Sequence, residues 1–469
     1  MSNEEILLFD TKSRQLQPLT SNDGKRLRIY SCGPTVYRDA HVGNMRTFLL
    51  TDLIKRFAQY QGLNVELIQN ITDVGHMADD TGLGGIDEGQ GDTEDRVLAQ
   101  AKTESVDALS IARKYEDNFH RDLKLLNIQK ATQYPRASES IELMIELIKQ
   151  LIEKKHAYVG KSGTVFFDAK SFPSYGQISG NKLDELQPGY RFEGKSDPDK
   201  KFHADWALWK AAGNRKEMIW DSPWGPGFPG WHIECSAMSL KFLHGHVNVH
   251  VGGIDLRFPH HENERAQSNS ITGVESVDLW VHGEHLLFEG RKMSKSAGNV
   301  VLLDDVITKG FDPLSLRLCF LENRYRSQMD LSWQSISAAH ETIKRWRSKV
   351  AGWGVVKNIT MDPAVLAYLE NDLDTPRVIT YLRALEKDAG ASEDQKANAF
   401  AYADQVLGLD LTRAPEVREL PSDLKNLLKE REAARSAKNW ALSDELRATL
   451  ESAGLEISDS ASGQSWSWR

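Results

Sequence analysis

Apolar positions alternate with polar ones around Leu27 and Ile29 and predict a strand running into Tyr30-Ser31. Cys32-Gly33-Pro34 must then turn. After His41-Val42-Gly43-Asn44, the residues Leu49, Leu50, Leu53, Ile54 and Phe57 recur at helical spacing. Strand, tight turn and helix N-terminus, in that order, is an α/β arrangement for holding phosphates. The run VELIQN at 65–70 predicts a second strand, with Asn70-Ile71-Thr72-Asp73 at its carboxyl end, where open α/β sheets place ligand contacts. Helical spacing runs from about 97 to 126 (Val97, Leu98, Ala101, Ile111, Tyr115, Phe119, Leu123) and again over 138–154. Residues 157–167 predict a hairpin around Lys161-Ser162-Gly163. The loop-rich, tryptophan-bearing stretch from there to Pro226 reads as an insertion between two α/β halves. A helix over 230–238, a strand over 247–253, a helix after Pro259 and short strands at 278–282 and 285–288 resume the α/β pattern. After about Val300 strand signals vanish and helical spacing dominates (Ile336, Ala339, Ile343, Trp346, Val350). From about Leu420 come two more helical segments carrying Arg431, Arg435, Lys438 and Arg447, then a small polar tail with Trp466 and Trp468.

A chain of 469 residues is too long for one core and suggests roughly three domains. The start MSNEEILLFD predicts no signal peptide, and no apolar run approaches the ~20 residues of a membrane helix. Three widely spaced cysteines, Cys32, Cys235 and Cys319, argue against a disulfide framework and for a reducing cytoplasm. A net charge of −9 excludes a non-specific nucleic-acid binder but leaves room for a local basic face.

Two segments carry candidate chemistry. Gly43 would let backbone approach a nucleotide, with His41 and Asn44 supplying donors beside it; on its own the tetrapeptide reads equally as an ordinary helix start. Lys292-Met293-Ser294-Lys295-Ser296, flanked by Gly290 and Gly298, is a cationic loop that could fold over a triphosphate. A bare K-x-x-K more often marks a solvated loop. The full pentapeptide, paired with His41–Asn44 far upstream, is much more specific. His260 and Glu264 stand four apart on one helix face.

With both segments in place the sequence resembles the class I aminoacyl-tRNA synthetases, whose HIGH and KMSKS signatures fall on His41–Asn44 and Lys292–Ser296. In detail it is similar to their cysteine-specific family. The matching segments are CGPTVY at 32–37, NITD at 70–73, GWHIECSAM at 230–238, FPHHENE at 258–264, Tyr325-Arg326-Ser327, the acidic-Thr-Pro run 372–376, and Ala434-Arg435, Trp440-Ala441, Asp444 and Trp466 near the end. The resemblance spans nearly the whole chain.

It implies an α/β, Rossmann-like catalytic domain with an insertion, followed by α-helical C-terminal domains. The expected divisions are 1–138 and 227–300 for the two catalytic halves, 139–226 for the insertion, 301–350 for a stem-contact region, 351–415 for a helical bundle and 416–469 for a small anticodon-binding domain. It implies ATP-dependent activation of L-cysteine, with Mg2+, and transfer to the 3′ end of tRNA(Cys). Catalytic roles would fall on His41, Asn44, Lys292 and Lys295. ATP would be held by these together with Gly43 and Asp255, and cysteine by Cys32, Gly33, Thr72 and Trp231. One zinc ion per subunit would be held by Cys32, Cys235, His260 and Glu264 and would select the substrate thiol, because sulfur and oxygen are barely separable by shape. Cys319 matches no ligand position and reads as core; His261 reads as a nucleotide-site or packing residue. Asn44 departs from the last histidine of HIGH: an amide donates a hydrogen bond but carries no charge. The expected protein is a cytoplasmic monomer without membrane contact. Two alternatives stand beside this reading: a cysteine ligase with an amino-sugar acceptor, and a non-catalytic paralogue that binds RNA or metal.

Overall fold

The computed structural model describes residues 6–21, 24–75, 95–186, 198–293, 298–414, 420–460 and 463–468. An N-terminal hairpin, β1 (Leu7–Asp10) and β2 (Gln15–Pro18), precedes β3 (Arg26–Ser31), α1 (Val42–Tyr60) and β4 (Asn64–Gln69). Helices α2 (Arg96–Glu104), α3 (Ala108–Leu125) and α4 (Ile141–Glu153) follow. Four short strands come next: β5 (Ala157–Val159), β6 (Val165–Phe167), β7 (Trp206–Ala211) and β8 (Gly227–Pro229). Then come α5 (Trp231–Phe242), β9 (Val247–Gly253), α6 (His260–Thr272), β10 (Val277–Gly283), β11 (Leu286–Phe288) and β12 (Arg291–Lys292). The remainder of the first unit holds α7 (Leu303–Thr308), α8 (Pro313–Leu321), β13 (Met329–Leu331), α9 (Trp333–Trp353), α10 (Pro363–Glu370), α11 (Thr375–Lys387) and α12 (Glu393–Leu407). The chain divides into two compact units, 1–413 and 414–469; the second holds α13 (Ser422–Ser436), α14 (Trp440–Ser452), β14 (Leu455–Ser460) and β15 (Gly463–Trp468).

The central sheet runs β10-β9-β3-β4, with every pairing parallel. One face of β3, β9 and β10 is apolar and buried in the main core through Leu27, Ile29, Val249, Val251, Leu279 and Val281, while the other face of β9 carries the buried polar residues Asn248 and His250. From β3 the chain crosses through α1 to β4 on one side; from β9 it crosses through α6 to β10 on the other. The strand order therefore reverses between β3 and β9, and a crevice opens at their carboxyl ends. Cys32, the first residue after β3, still donates its N–H to Val251 O at 3.1 Å. The β5-β6-β7-β8 sheet is antiparallel and packs with α4 and α5 around a separate cluster that includes Ile148, Phe167, Trp206 and Ile233.

Three expectations are corrected. The helical spacing over 97–126 is two helices. Ser105 takes a left-handed turn (φ 56°) and Asp107 caps α3 through Ser110 N, so the apolar spacing carries across a real break. A strand does occur after residue 300: β13 pairs in parallel with β11, which a three-residue segment cannot announce locally. The polar tail is an antiparallel ribbon, with Leu455 and Ile457 packing under α13 and α14. Cys319 is buried in the main core, where burial pushes its thiol up to about 12.

Candidate active site

One cavity of about 350 Å³ lies at the reversal of strand order. Its lining includes Cys32, Gly33, His41, Gly43, Asn44, Thr72, Trp231, Cys235, Asp255, His260 and Lys292, so one space collects almost every site residue named from the sequence. Glu264 stands behind His260. Lys295 lies outside the described residues, as do His76 and most of the acidic stretch 79–95.

At the inner end, β3 delivers Cys32, α5 delivers Cys235, and successive turns of α6 deliver His260 and Glu264. The four donor atoms lie within 4.8 Å of one another and all four residues are buried. His260 Nε2 is 2.8 Å from Glu264 Oε1, and Cys32 Sγ is 3.9 Å from the same oxygen. His260 is held by its other ring nitrogen, 2.9 Å from His232 Nδ1, and by Trp231, whose ring stacks on it at 4.3 Å. Burial pushes the Cys32 thiol well up, and Cys235 adds to this by its hydrogen bond and charge. Burial acts the same way on Cys235, yet the hydrogen bond from Cys32 and the positive His260 hold it well below the usual thiol range. Burial, then the Cys235 charge, pushes Glu264 up to about 8. Burial works to lower His260, but the Glu264 and Cys235 charges hold it up at about 10. Two sulfurs, an imidazole and a carboxylate packed this tightly away from water are a donor set that could hold a metal ion.

The sequence did not announce a second ring of histidines around this set. His261 Nε2 is 3.2 Å from Cys32 Sγ, and its Nδ1 is 2.8 Å from His282 Nε2, whose Nδ1 meets Thr11 Oγ1 at 2.8 Å. His250 Nε2 lies 3.4 Å from Glu264 Oε2. Cys32, His250, His261 and Glu264 thus form an overlapping set, also within 4.8 Å. Strand alternation makes His250 an inward residue of β9, but it does not say which side chains it meets. His261 is fully buried and stands outside the cavity lining, meeting Cys32 and His282.

At the outer end, α1 begins with a capping box. The Asn44 N–H donates to His41 Nδ1 at 3.3 Å, and the His41 N–H donates to Asn44 Oδ1 at 3.1 Å. This fixes the tautomer of His41: Nδ1 accepts, leaving the Nε2–H free to donate. Burial, helped by the Arg38 charge, lowers His41 from the usual 6.5 to about 4. Because the shift is downward, the neutral ring is favoured at every pH above that value. No His41 inflection is expected in an activation profile between about pH 5.5 and 8; ring-proton NMR reporting a His41 pKa above 6 would refute it. Gly43 is needed where it stands, since a Cβ there would lie 2.9 Å from His41 Cε1 and 3.1 Å from Met293 Cε. That closeness brings the start of the KMSKS segment against the His41–Asn44 turn. Val42 N also donates to Val301 O at 3.0 Å, docking the chain beyond that segment on the same helix end. Thr72 is joined to the 33–36 turn by reciprocal backbone bonds with Pro34 and Val36, each 3.1 Å, and its hydroxyl accepts from Asn70 Nδ2 at 3.0 Å. Asp255 is exposed at the rim, just beyond Gly253, where a Cβ would sit 2.3 Å from its Oδ1.

Residues 18–80 and 89–341 match the family described as the tRNA synthetase class I (C) catalytic domain, and residues 417–466 match the cysteinyl-tRNA ligase anticodon binding domain. The fold is shared with the methionyl-tRNA synthetase of Mycobacterium tuberculosis in its methionyl-adenylate complex (TM-score 0.52, 16% identity, covering 82% of this chain and 90% of that one). Sheet order, switch-point cavity and family match together define the catalytic domain of a class I aminoacyl-tRNA synthetase. A cysteine–tRNA ligase of Thermus thermophilus is 37% identical over 488 residues, covering 98% of this chain and 99% of the relative. One from Treponema denticola is 35% identical over 478 residues, covering 93% and 94%. The chain belongs to the cysteine–tRNA ligase family. Among the described residues, no helix is long and apolar enough to cross a membrane.

Proposed function

We propose that the protein joins L-cysteine to tRNA(Cys) in two steps, with ATP and Mg2+ as in its relatives. A cysteine carboxylate oxygen attacks the α-phosphate of ATP, giving cysteinyl-adenylate and pyrophosphate. The terminal ribose hydroxyl of the tRNA then attacks the acyl carbon, loses its proton and releases AMP. The observation that carries this reading is one cavity holding a Cys32–Cys235–His260–Glu264 donor set at one end and the His41–Asn44 helix start, with Lys292, at the other.

Each side chain has work suited to its chemistry. The Nε2–H of His41 and the amide N–H of Asn44 donate to phosphate oxygens as charge moves onto the leaving pyrophosphate. Gly43 keeps that helix end open to the nucleotide, Lys292 adds a cation, Lys295 a second three residues on in sequence, and Asp255 accepts from a ribose hydroxyl. Gly33 and Thr72 line the cysteine pocket, and Trp231 walls it while fixing the ring of His260. Zinc held by Cys32, Cys235, His260 and Glu264 supplies a soft Lewis acid that prefers a thiol to a hydroxyl. Of the two overlapping donor sets, this one opens on the cavity through both Cys235 and His260. No protein nucleophile is required; positioning and charge stabilisation suffice. The small C-terminal unit, with Arg435 near the exposed Trp440 ring at 5.9 Å, suits contact with RNA bases and phosphates. An amino-sugar acceptor is not favoured, because residues 417–466 match an anticodon-binding domain. The protein acts as a cytoplasmic monomer.

The test is ATP–pyrophosphate exchange dependent on cysteine, followed by charging of a tRNA(Cys) transcript. Exchange is expected with cysteine and to fall by at least about 1000-fold with serine at equal concentration. Exchange without charging would favour the ligase alternative; absence of both would favour the non-catalytic one.

A further inference from the structure

Three side chains at the mouth of the cavity are not used by the chemistry above. Tyr37, Arg38 and Arg96 all line it. The Arg38 and Arg96 guanidinium carbons lie 5.0 and 5.5 Å from the centroid of the Tyr37 ring. Arg96 Nη1 also donates to the Tyr37 hydroxyl at 2.9 Å, which fixes its position. Among the described residues neither guanidinium is paired with a carboxylate. Beside Arg38, Asp39 has its Oδ1 occupied by Asn118 Nδ2 at 2.7 Å; beside Arg96, Asp95 is taken by Arg215 at 2.9 Å and by the Val97 and Gly75 N–H groups, and the Arg96 Nε is buried with no hydrogen-bond partner among the described residues. Other arginines near the core are matched by carboxylates, as Arg317 is by Asp52, Arg136 by Glu116 and Arg215 by Asp95, or by backbone carbonyls, as Arg46 is by Glu284 O and Ser327 O. Two guanidiniums on one aromatic ring, with no carboxylate partner among the described residues and at the entrance to a reaction cavity, repel each other until an anion joins them.

We propose that Arg38 and Arg96 form a phosphate subsite that takes the last phosphodiester of the tRNA 3′ end during acyl transfer. Such a subsite presupposes the tRNA-charging activity proposed above. Planar guanidinium forks suit a phosphodiester, and a chain of net charge −9 needs local cations where RNA enters. The ATP phosphates have other partners. His41 and Asn44 receive them at the start of α1, and Lys292 comes from β12. Arg38 and Arg96 come instead from the 33–40 turn and from the first residue of α2.

The test uses the full chain with Arg38→Gln, Arg96→Gln and the double substitution, and a tRNA(Cys) transcript as probe. Two rates are compared: cysteine-dependent ATP–pyrophosphate exchange, and single-turnover transfer from preformed enzyme-bound cysteinyl-adenylate. The double variant should keep exchange within about twofold and lose about 10–100-fold in transfer at subsaturating tRNA, the worth of one or two charge-assisted bonds. The slope of log KM for tRNA against log salt should shallow by about 0.7 for each phosphate that is no longer neutralised. The Arg38→Lys/Arg96→Lys pair should recover part of the transfer rate, because it keeps the charge while losing the fork. If exchange falls in step with transfer, the arginines serve ATP and the subsite is refuted. If exchange and transfer both stay normal, it is likewise refuted while the synthetase reading stands. If the unaltered protein shows no exchange, the functional reading itself fails.

Discussion

If zinc sits on the proposed donor set, Cys235→Ser is expected to strip the protein of stoichiometric zinc and to cut cysteine-dependent ATP–pyrophosphate exchange by about 1000-fold, since a direct ligand should matter more than the partners behind such ligands, whose loss costs about 10–100-fold. The substitution is nearly isosteric and sits in the middle of α5, so the fold has little reason to respond. What changes is the donor. A serine hydroxyl does not ionise beside Cys32 and His260, whereas the Cys235 thiol is held well below its usual pKa there: burial opposes ionisation, and the Cys32 hydrogen bond and His260 charge overcome it. The remaining preference for cysteine over serine should collapse with the metal. Elemental analysis of the purified variant, with exchange measured on both amino acids, decides the matter. A variant with full zinc content and undiminished discrimination would refute the donor set. Cys319→Ser is the internal control: that thiol is buried in the apolar core, so its loss should leave zinc content unchanged.

The second large effect is on stability. Asp52, in the middle of α1, is 1% exposed and accepts from Arg317 Nη2 at 2.6 Å, Arg56 Nε at 2.8 Å and the Gln129 N–H at 2.8 Å. Arg317, fully buried in α8, also donates to Leu407 O at 2.6 Å and Leu126 O at 2.9 Å. One carboxylate thus balances two guanidiniums where α1, α8, the end of α12 and the 126–129 turn converge. Asp52→Ala leaves Arg317 charged, buried and beside Arg56, and should destabilise the 1–413 unit by about 3–5 kcal/mol in urea unfolding. Asp52→Asn keeps an acceptor for Gln129 and should fall between the two. A loss below about 1 kcal/mol for the alanine variant would show that the backbone carbonyls alone hold Arg317.

The strands that carry the site were legible because their pattern is local. β3, β4, β9 and β10 are short apolar runs ended by turn-forming residues, and α1 announces itself by the spacing of Leu49, Leu53 and Phe57. β13 was not legible: Met329–Leu331 becomes a strand by pairing with β11, some forty residues earlier. The break between α2 and α3 was written in Asp107 and Ser110 as a cap, but apolar spacing on either side hid it. The chemistry divides in the same way. His41, Gly43 and Asn44 are neighbours in sequence and could be read as one turn. Cys32, Cys235, His260 and Glu264 come from three elements, and only the family resemblance placed them together before the structure did. His250 and His282 had no such guide. Each is an inward residue of a parallel strand, and the pairing of β3, β9 and β10 gives them their neighbours.

The reversal of strand order between β3 and β9 has a consequence for how the protein is made. The first thiol of the donor set is synthesised more than two hundred residues before the second. A nascent chain that ends anywhere in the β5–β8 sheet carries Cys32 without Cys235, His260 or Glu264, and so lacks three of the four candidate donors. The four donors come together only once β9 has paired beside β3, so a metal ion held there would report that both halves of the domain have docked.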